Sequence, residues 1–170
     1  FNVYGGSSDW NYASRSSNSM KFSTTQSGLT LDSIGIVDGS SANTNAFDEF
    51  EVTISTKLFG SDVSVGYADD VNSDISYWGV AGSTDLGPLT MSSSYTIYDA
   101  ATDKYVLELT ASYSIFSVGY GDKEGTGLAY TAGVAHDLND SLSVYAEGEM
   151  KDLDSGSDTT SWSIGSKFTF

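Results

Sequence analysis

The chain has 170 residues, one Pro, 18 Gly and 13% aromatic residues, a composition that favours one domain of many β-strands over a helical bundle. The lack of Cys excludes disulfides and thiolate metal sites, and a formal net charge of -16 argues against a nucleic-acid partner. No apolar run is long enough for a transmembrane helix. No charged-then-apolar segment opens the chain, so we expect any signal peptide to have been removed.

A short phrase recurs along the chain, each time directly after a predicted turn. Its first large apolar residues are Leu29, Val63, Leu89, Phe116 and Leu142, which are 34, 26, 27 and 26 residues apart. A unit of this length holds two strands of about 9–11 residues with a turn and a loop. Six such units predict an antiparallel up-and-down meander of about twelve strands in one domain over residues 1–170, with ten strands as the alternative.

Side chains within the predicted strands alternate in polarity. In residues 50–58, one face carries Phe50, Val52, Ile54 and Leu58, and the other carries Glu51, Thr53, Ser55 and Lys57. The same period of two occurs in residues 105–113, 142–151 and 162–170. Alternation alone fits both a soluble sandwich and a transmembrane barrel, because each has one apolar and one polar face.

Three further patterns favour the closed transmembrane β-barrel. The polar face is mainly Ser, Thr and Gly, which suits a water-filled lumen. Aromatic residues gather near strand ends, as interfacial girdles require: Tyr67, Tyr95, Tyr98, Tyr105, Tyr113, Tyr120, Trp162, Phe168 and Phe170. Connections also alternate in kind along the chain, as the two ends of such a barrel do.

The predicted connections form a short set and a long, acidic set. The short ones are residues 26–28, 59–61, 85–88, 114–115 and 138–140, and the pair 114–115 lacks the usual Gly or Asn. The long ones are residues 37–46, 69–74, 99–103, 122–127 and 152–159. The long set would form the external end, with an acidic mouth that attracts cations.

The last eight residues resemble the terminal β-signal by which the bacterial outer-membrane insertion machinery recognises a last strand. The residues that carry this insertion signal are Ser163, Gly165, Phe168 and Phe170. With the repeat, the turns and the girdles, the whole chain resembles a Gram-negative outer-membrane β-barrel, most of all a small porin. The resemblance implies location in the bacterial outer membrane, contact with lipid and lipopolysaccharide, and insertion by the barrel-assembly machinery.

The chain departs from the large trimeric porins in being much shorter and in having no connection long enough to fold into the pore. A monomer is therefore favoured, while an oligomer and a fragment of a larger barrel both stay open. Twelve strands lie between eight, whose interior is filled by side chains, and sixteen, which leave a water channel. Because the predicted lumen residues are mostly small, we expect passive diffusion of small hydrophilic solutes.

Charged residues on the predicted lumen face are candidates for the pore lining. They are Glu49, Glu51, Lys57, Asp62, Glu108, Glu147, Glu149, Lys151 and Lys167, with Lys21 beside them. Because the carboxylates outnumber the bases, we expect a preference for cations. For each single residue, a lumenal ion pair that only braces the barrel is the alternative.

We expect no enzymatic activity, no cofactor and no metal. The single His136 is predicted at the periplasmic, outward-facing end of a strand, and no nucleophile elbow, phosphate loop or HExxH motif occurs. Two alternatives to the channel remain. One is a non-conducting structural or adhesive barrel that displays its acidic loops, and the other is a soluble acidic β-sandwich.

Overall fold

The computed structural model describes residues 19–36, 49–70, 75–99 and 104–169. They form eleven strands that pair in chain order, each antiparallel to the next, in one sheet. The strands are β1 Ser19–Gln26, β2 Leu29–Ile36, β3 Glu49–Leu58, β4 Ser61–Asp70, β5 Ile75–Leu86, β6 Leu89–Asp99, β7 Lys104–Tyr113, β8 Phe116–Lys123, β9 Gly127–Asn139, β10 Leu142–Leu153 and β11 Thr159–Phe168. The predicted meander is confirmed, and the predicted twelfth strand, before Ser19, lies outside the described residues.

No helix within the described ranges is long and apolar enough to span a membrane.

The short turns stand where the sequence predicts them. Ser27 and Gly28 have φ of 53° and 81°, and Phe59 and Gly60 have φ of 52° and 86°. Positive φ at both central residues defines the type I′ hairpin turn, whose twist matches that of the flanking strands. The turn at Ser114 and Ile115 is confirmed as well, because Tyr113 pairs with Phe116 across it.

The connections at the other end are shorter than predicted. Residues 124–126 alone join β8 to β9, and residues 154–158 join β10 to β11. Five carboxylates predicted to lie in loops, at these ends and at two others, are strand residues instead: Asp69, Asp70, Asp99, Asp122 and Asp152. The prediction placed them in loops because Asp suits turns, whereas the strand ladder continues through them, with Asp122 opposite both Leu107 and Leu128.

The register assigns every described strand side chain to one of two faces, because directly opposed residues of an antiparallel pair point to the same side. One face, here the inner face, is rich in Ser, Thr, Gly and Ala. The other, the outer face, carries most of the large apolar side chains. Burial follows this division in the middle of the sheet: Val106 and Glu108 on the inner face of β7 are 2% and 5% exposed, whereas Leu109 and Tyr113 on its outer face are 43% and 55% exposed.

The sheet curls towards its inner face. Ser55 of β3 and Thr110 of β7 line one cavity, although three strands separate them. Within the described ranges, β1 and β11 are the two edges of the sheet and do not pair with each other. Both are odd-numbered strands of an antiparallel meander, so they run in the same direction.

Candidate functional site

The inner face divides into two regions of different composition. The first, here the hydroxyl wall, is the inner face of β2–β7. One of its rows runs across five strands through Ser55, Ser64, Ala81, Ser94 and Glu108. The second, here the glycine wall, is the inner face of β8–β11, and it contains Gly119, Gly121, Gly127, Gly133 and Gly165.

The hydroxyl wall holds two buried carboxylates. The Thr53 hydroxyl donates to Glu51 Oε1 at 3.4 Å, and the Ser94 hydroxyl donates to Glu108 Oε2 at 3.4 Å. Burial of a carboxylate is costly unless hydrogen-bond donors or cations compensate it. Hydroxyl groups on the neighbouring positions of the same face are therefore the local reason that these two carboxylates stay in the wall.

Two ion pairs lie on the inner face, one in each wall. Lys57 Nζ lies 2.7 Å from Asp62 Oδ1 beside the turn at Phe59 and Gly60, with both side chains mostly exposed. Lys151 Nζ lies 3.0 Å from Glu149 Oε1 on β10. Each contact joins a lysine to a carboxylate of the predicted pore lining.

Glycines of the second wall make room for larger neighbours. A Cβ built on Gly165 would lie 2.5 Å from the hydroxyl and Cζ of Tyr145, so the tyrosine ring covers this glycine. On Gly133 a Cβ would lie 3.1 Å from the Ser117 hydroxyl. Glu147 of the same wall accepts a hydrogen bond from the Ser163 hydroxyl at 3.3 Å.

The register brings together most of the predicted lining residues. Those on the inner face are Lys21, Glu51, Lys57, Asp62, Glu108, Glu147, Glu149, Lys151 and Lys167. Glu49 is the first residue of β3, and its side chain lies outside the described part of the chain.

Sequence reasoning missed several charges on this face. They are Asp32, Asp85, Lys104, Lys123 and Asp137. Lys123 falls in the loop predicted at residues 122–127, and Lys104 falls in no predicted strand. Both keep the parity of Glu108 and Gly121, which is the signal that could have placed them on the inner face. With them, all six lysines of the sequence lie on the inner face.

Solved structures with the same fold exist, although no protein-family model and no curated protein matches the chain. A loop L8 deletion mutant of OmpT, an outer membrane protein of Vibrio cholerae, matches with a TM-score of 0.68 at 16% identity, over 88% of this chain and 62% of that chain. Salmonella typhi OmpF in complex with daunomycin matches with a TM-score of 0.70 at 12% identity, over 88% and 61%. A mutant of Rh. blastica porin gives 0.63 at 18% identity, over 89% and 55%. The fold is porin-like. The chain spans less than two thirds of the length of each of these proteins.

The outer face of this porin-like sheet carries the predicted aromatic belt. Tyr95 and Tyr105 pack with ring centroids 5.9 Å apart, and Tyr120 and Tyr130 with centroids 5.6 Å apart. The Tyr105 hydroxyl donates to Asp122 Oδ2 at 3.1 Å, at the end of the outer row of β8. Aromatic rings followed by carboxylates mark the level at which an apolar belt gives way to water.

One member of the predicted girdle was placed on the wrong face. Tyr98 lies opposite Tyr77 and Lys104, so it belongs to the inner face, and its ring centroid lies 5.5 Å from that of Tyr77. Its position near a strand end suggested the girdle, but the parity of β6 assigns Tyr98 to the side of Ser94 and Thr96.

The predicted insertion signal lies on the last described strand of the porin-like sheet. Ser163 and Gly165 lie on the inner face and Phe168 on the outer face of β11, while Phe170 lies outside the described residues. His136 lies opposite Val144, which places it on the outer face near the short turn, as predicted.

Proposed function

We propose that the chain is an outer-membrane channel protein through which small hydrophilic solutes diffuse passively. The observation that carries the proposal is the reversed polarity of the sheet, whose buried, concave side is polar and whose exposed side is apolar. Such a surface suits hydrocarbon outside and water inside. The partners that follow are outer-membrane lipid and lipopolysaccharide, the barrel-assembly machinery that reads the last strand, and the passing solutes.

A channel of this kind needs a closed sheet, because unpaired backbone groups are costly in hydrocarbon. The edges β1 and β11 run in the same direction, so antiparallel closure requires an odd number of further strands between them. The predicted twelve-stranded barrel requires one, before Ser19. In a second copy inserted in the same orientation, the described edges β1 and β11 run in that same direction and could not close the sheet by antiparallel pairing. This supports closure within a single polypeptide and the prediction of a monomer.

We propose a weak preference for cations. Its support is that the described carboxylates of the inner face outnumber the lysines of that face by eight to six. The six lysines on the same face oppose these carboxylates, so the preference is smaller than the sequence suggested. A wall of this composition serves passage of solutes, and we propose no catalytic role for it.

Single-channel recording after refolding into a planar bilayer tests the proposal, with a salt gradient to give the reversal potential. We expect steady conductance with weak cation selectivity. Ser92→Trp would place a large ring on the inner face and should lower the conductance, whereas the matched control Ser93→Trp, on the outer face, should leave it unchanged. Insertion without conductance would instead indicate the structural or adhesive barrel, and failure to insert would indicate the soluble sandwich.

A further inference from the structure

A trough in the hydroxyl wall forms a cavity on the inner face. Its volume is about 640 Å³, and it extends from β2 to β7. This volume lies within the range of about 300–1,000 Å³ that is typical of small-molecule sites. Seven hydroxyl side chains that share the inner face contribute to its lining: Thr30, Ser55, Ser64, Ser83, Ser92, Ser94 and Thr110.

These hydroxyls form a lattice. Ser83, Ser92 and Thr110 occupy one row across β5, β6 and β7, and Ser64 and Ser94 occupy the next row. Neighbouring strands are about 4.8 Å apart, and inner-face residues of one strand are about 7 Å apart. A bound metal ion needs ligands that converge within about 2–3 Å of one point. A lattice of this spacing fits an extended ligand that offers many polar groups.

The charged groups at the trough narrow the class of that ligand. Lys57 and Asp62 line it as an ion pair 2.7 Å apart, so their charges largely offset each other while donors and acceptors remain. Glu108 lines it elsewhere, held by the Ser94 hydroxyl. Each hydroxyl can donate one hydrogen bond and accept two, with a free choice of direction. This set matches a ligand whose groups also both donate and accept.

We propose that the trough binds neutral polyhydroxylated solutes of mono- or disaccharide size on their way through the channel. The inference rests on the proposed channel function and names the solute class for which the pore is best suited. The hydrogen bonds replace bonds to water, so each contributes modestly and binding stays weak. Weak binding is what passage requires, because a solute must enter the site and also leave it.

Sucrose titration during single-channel recording of the full chain tests the trough. We expect the conductance to fall along a saturable curve with sucrose, and without saturation with a polyethylene glycol of matched size. In the triple variant Ser64→Ala, Ser83→Ala, Ser92→Ala, the half-saturating concentration should rise about tenfold or more, since three hydrogen-bonding groups are lost. The matched control Ser143→Ala, Thr159→Ala, Ser161→Ala removes three hydroxyls from the inner face of β10 and β11, outside the trough, and should leave it unchanged.

The outcomes distinguish failure of the proposed site in the trough from failure of the proposed channel function. The proposed site would be contradicted if sucrose and the glycol lowered the conductance in the same way, or if the two sets of variants had equal effects. The proposed channel function would be unaffected by either result. Equilibrium dialysis of labelled sucrose against the refolded protein in detergent measures binding without conduction. If the protein shows no conductance, sucrose that binds to the parent chain and not to the triple variant would still support the proposed site in the trough. Absence of bound sucrose would contradict that site.

Discussion

The hydroxyl wall and the glycine wall differ in the side chains that line the inner face. Both are the inner side of one antiparallel meander, and both present polar surface to the concave side. The hydroxyl wall does so with short side chains of its own, which leave a trough and shelter Glu51 and Glu108. The glycine wall has glycine at several inner-face positions, and larger side chains of neighbouring residues lie over them, as Tyr145 lies over Gly165.

The difference separates a surface suited to solutes from a surface suited to packing. Where short hydroxyls line the wall, space remains next to it for a ligand. Where glycines line it, that space is taken by a ring or by a carboxylate such as Glu147. The glycine wall also contains β11, the strand with the predicted insertion signal, so the proposed solute site and the predicted insertion signal lie on different parts of the sheet.

The largest expected effect tests whether the outer face contacts lipid behind both the hydroxyl wall and the glycine wall. Leu109→Arg behind the hydroxyl wall and Ala132→Arg behind the glycine wall each place a charge midway along the outer face. Each should lower the free energy of unfolding by about 2–4 kcal/mol, as Arg does at the centre of a bilayer. Denaturant titration of the protein refolded in vesicles measures the loss.

The control for that pair is Thr110→Arg, one residue along β7 and on the inner face. It should cost much less stability, because the added charge meets water, and it should lower the conductance. Equal losses from Leu109→Arg and Thr110→Arg would contradict the assignment of the two faces.

The next effect concerns the glycine wall. Gly165→Ala would push a methyl group against the Tyr145 ring, which is the end of a partly exposed side chain and can move. It should therefore destabilise the protein by only about 1 kcal/mol, the low end of the cost of overpacking. Gly148→Ala is the matched control, because its new Cβ would meet nothing closer than 3.8 Å. In a Tyr145→Ser background, Gly165→Ala should be nearly neutral, and a loss of stability that persists there would show that the ring is not the cause.

A smaller effect compares the charges of the two walls. Glu108→Gln should shift the reversal potential towards zero by more than Glu147→Gln, because Glu108 is 5% exposed whereas Glu147 is exposed and better screened by salt. The measurement is made in the same salt gradient for both variants. Equal shifts would indicate that the buried carboxylate of the hydroxyl wall affects ion selectivity no more than the exposed one of the glycine wall.

The smallest effect is expected at the ion pair of the hydroxyl wall. The side chains of Lys57 and Asp62 are 71% and 63% exposed, so Lys57→Gln should change the free energy of unfolding by about 1 kcal/mol or less. The same variant removes a lumenal cation, which should slightly raise cation selectivity. A loss of several kcal/mol would mean that the pair braces the sheet.

Much of the fold could be predicted from the sequence because its signals are local. Alternation such as that of residues 50–58 depends only on the pleat, and Ser27-Gly28 or Phe59-Gly60 specify their own hairpin turns. Six units of similar length then predict the order of pairing, since sequential strands of a meander are neighbours. The terminal residues Ser163, Gly165 and Phe168 likewise fall on one strand, with the expected alternation.

The remainder depends on contacts that a local pattern does not contain. Where a strand ends is decided by its partner, which is why Asp122 and Asp152 were assigned to loops although neighbouring strands still pair with them. The face of Tyr98 and Lys104 follows from the register across β6 and β7. The trough and the ring over Gly165 arise from side chains of different strands, so neither could be read from a single segment.

The outer-face residues of two strands also set the thickness of membrane that the sheet would span. Those of β6 and β10 begin at Leu89 and Leu142 and end at Asp99 and Asp152. At about 3.4 Å per residue and a tilt of about 40°, such a row spans about 26 Å along the membrane normal. Bacterial outer membranes are thinner than average, and a thicker bilayer would have to compress around the protein. In the proposed outer-membrane channel, hydrophobic mismatch would thus favour a thin membrane, independently of any receptor that guides the chain there.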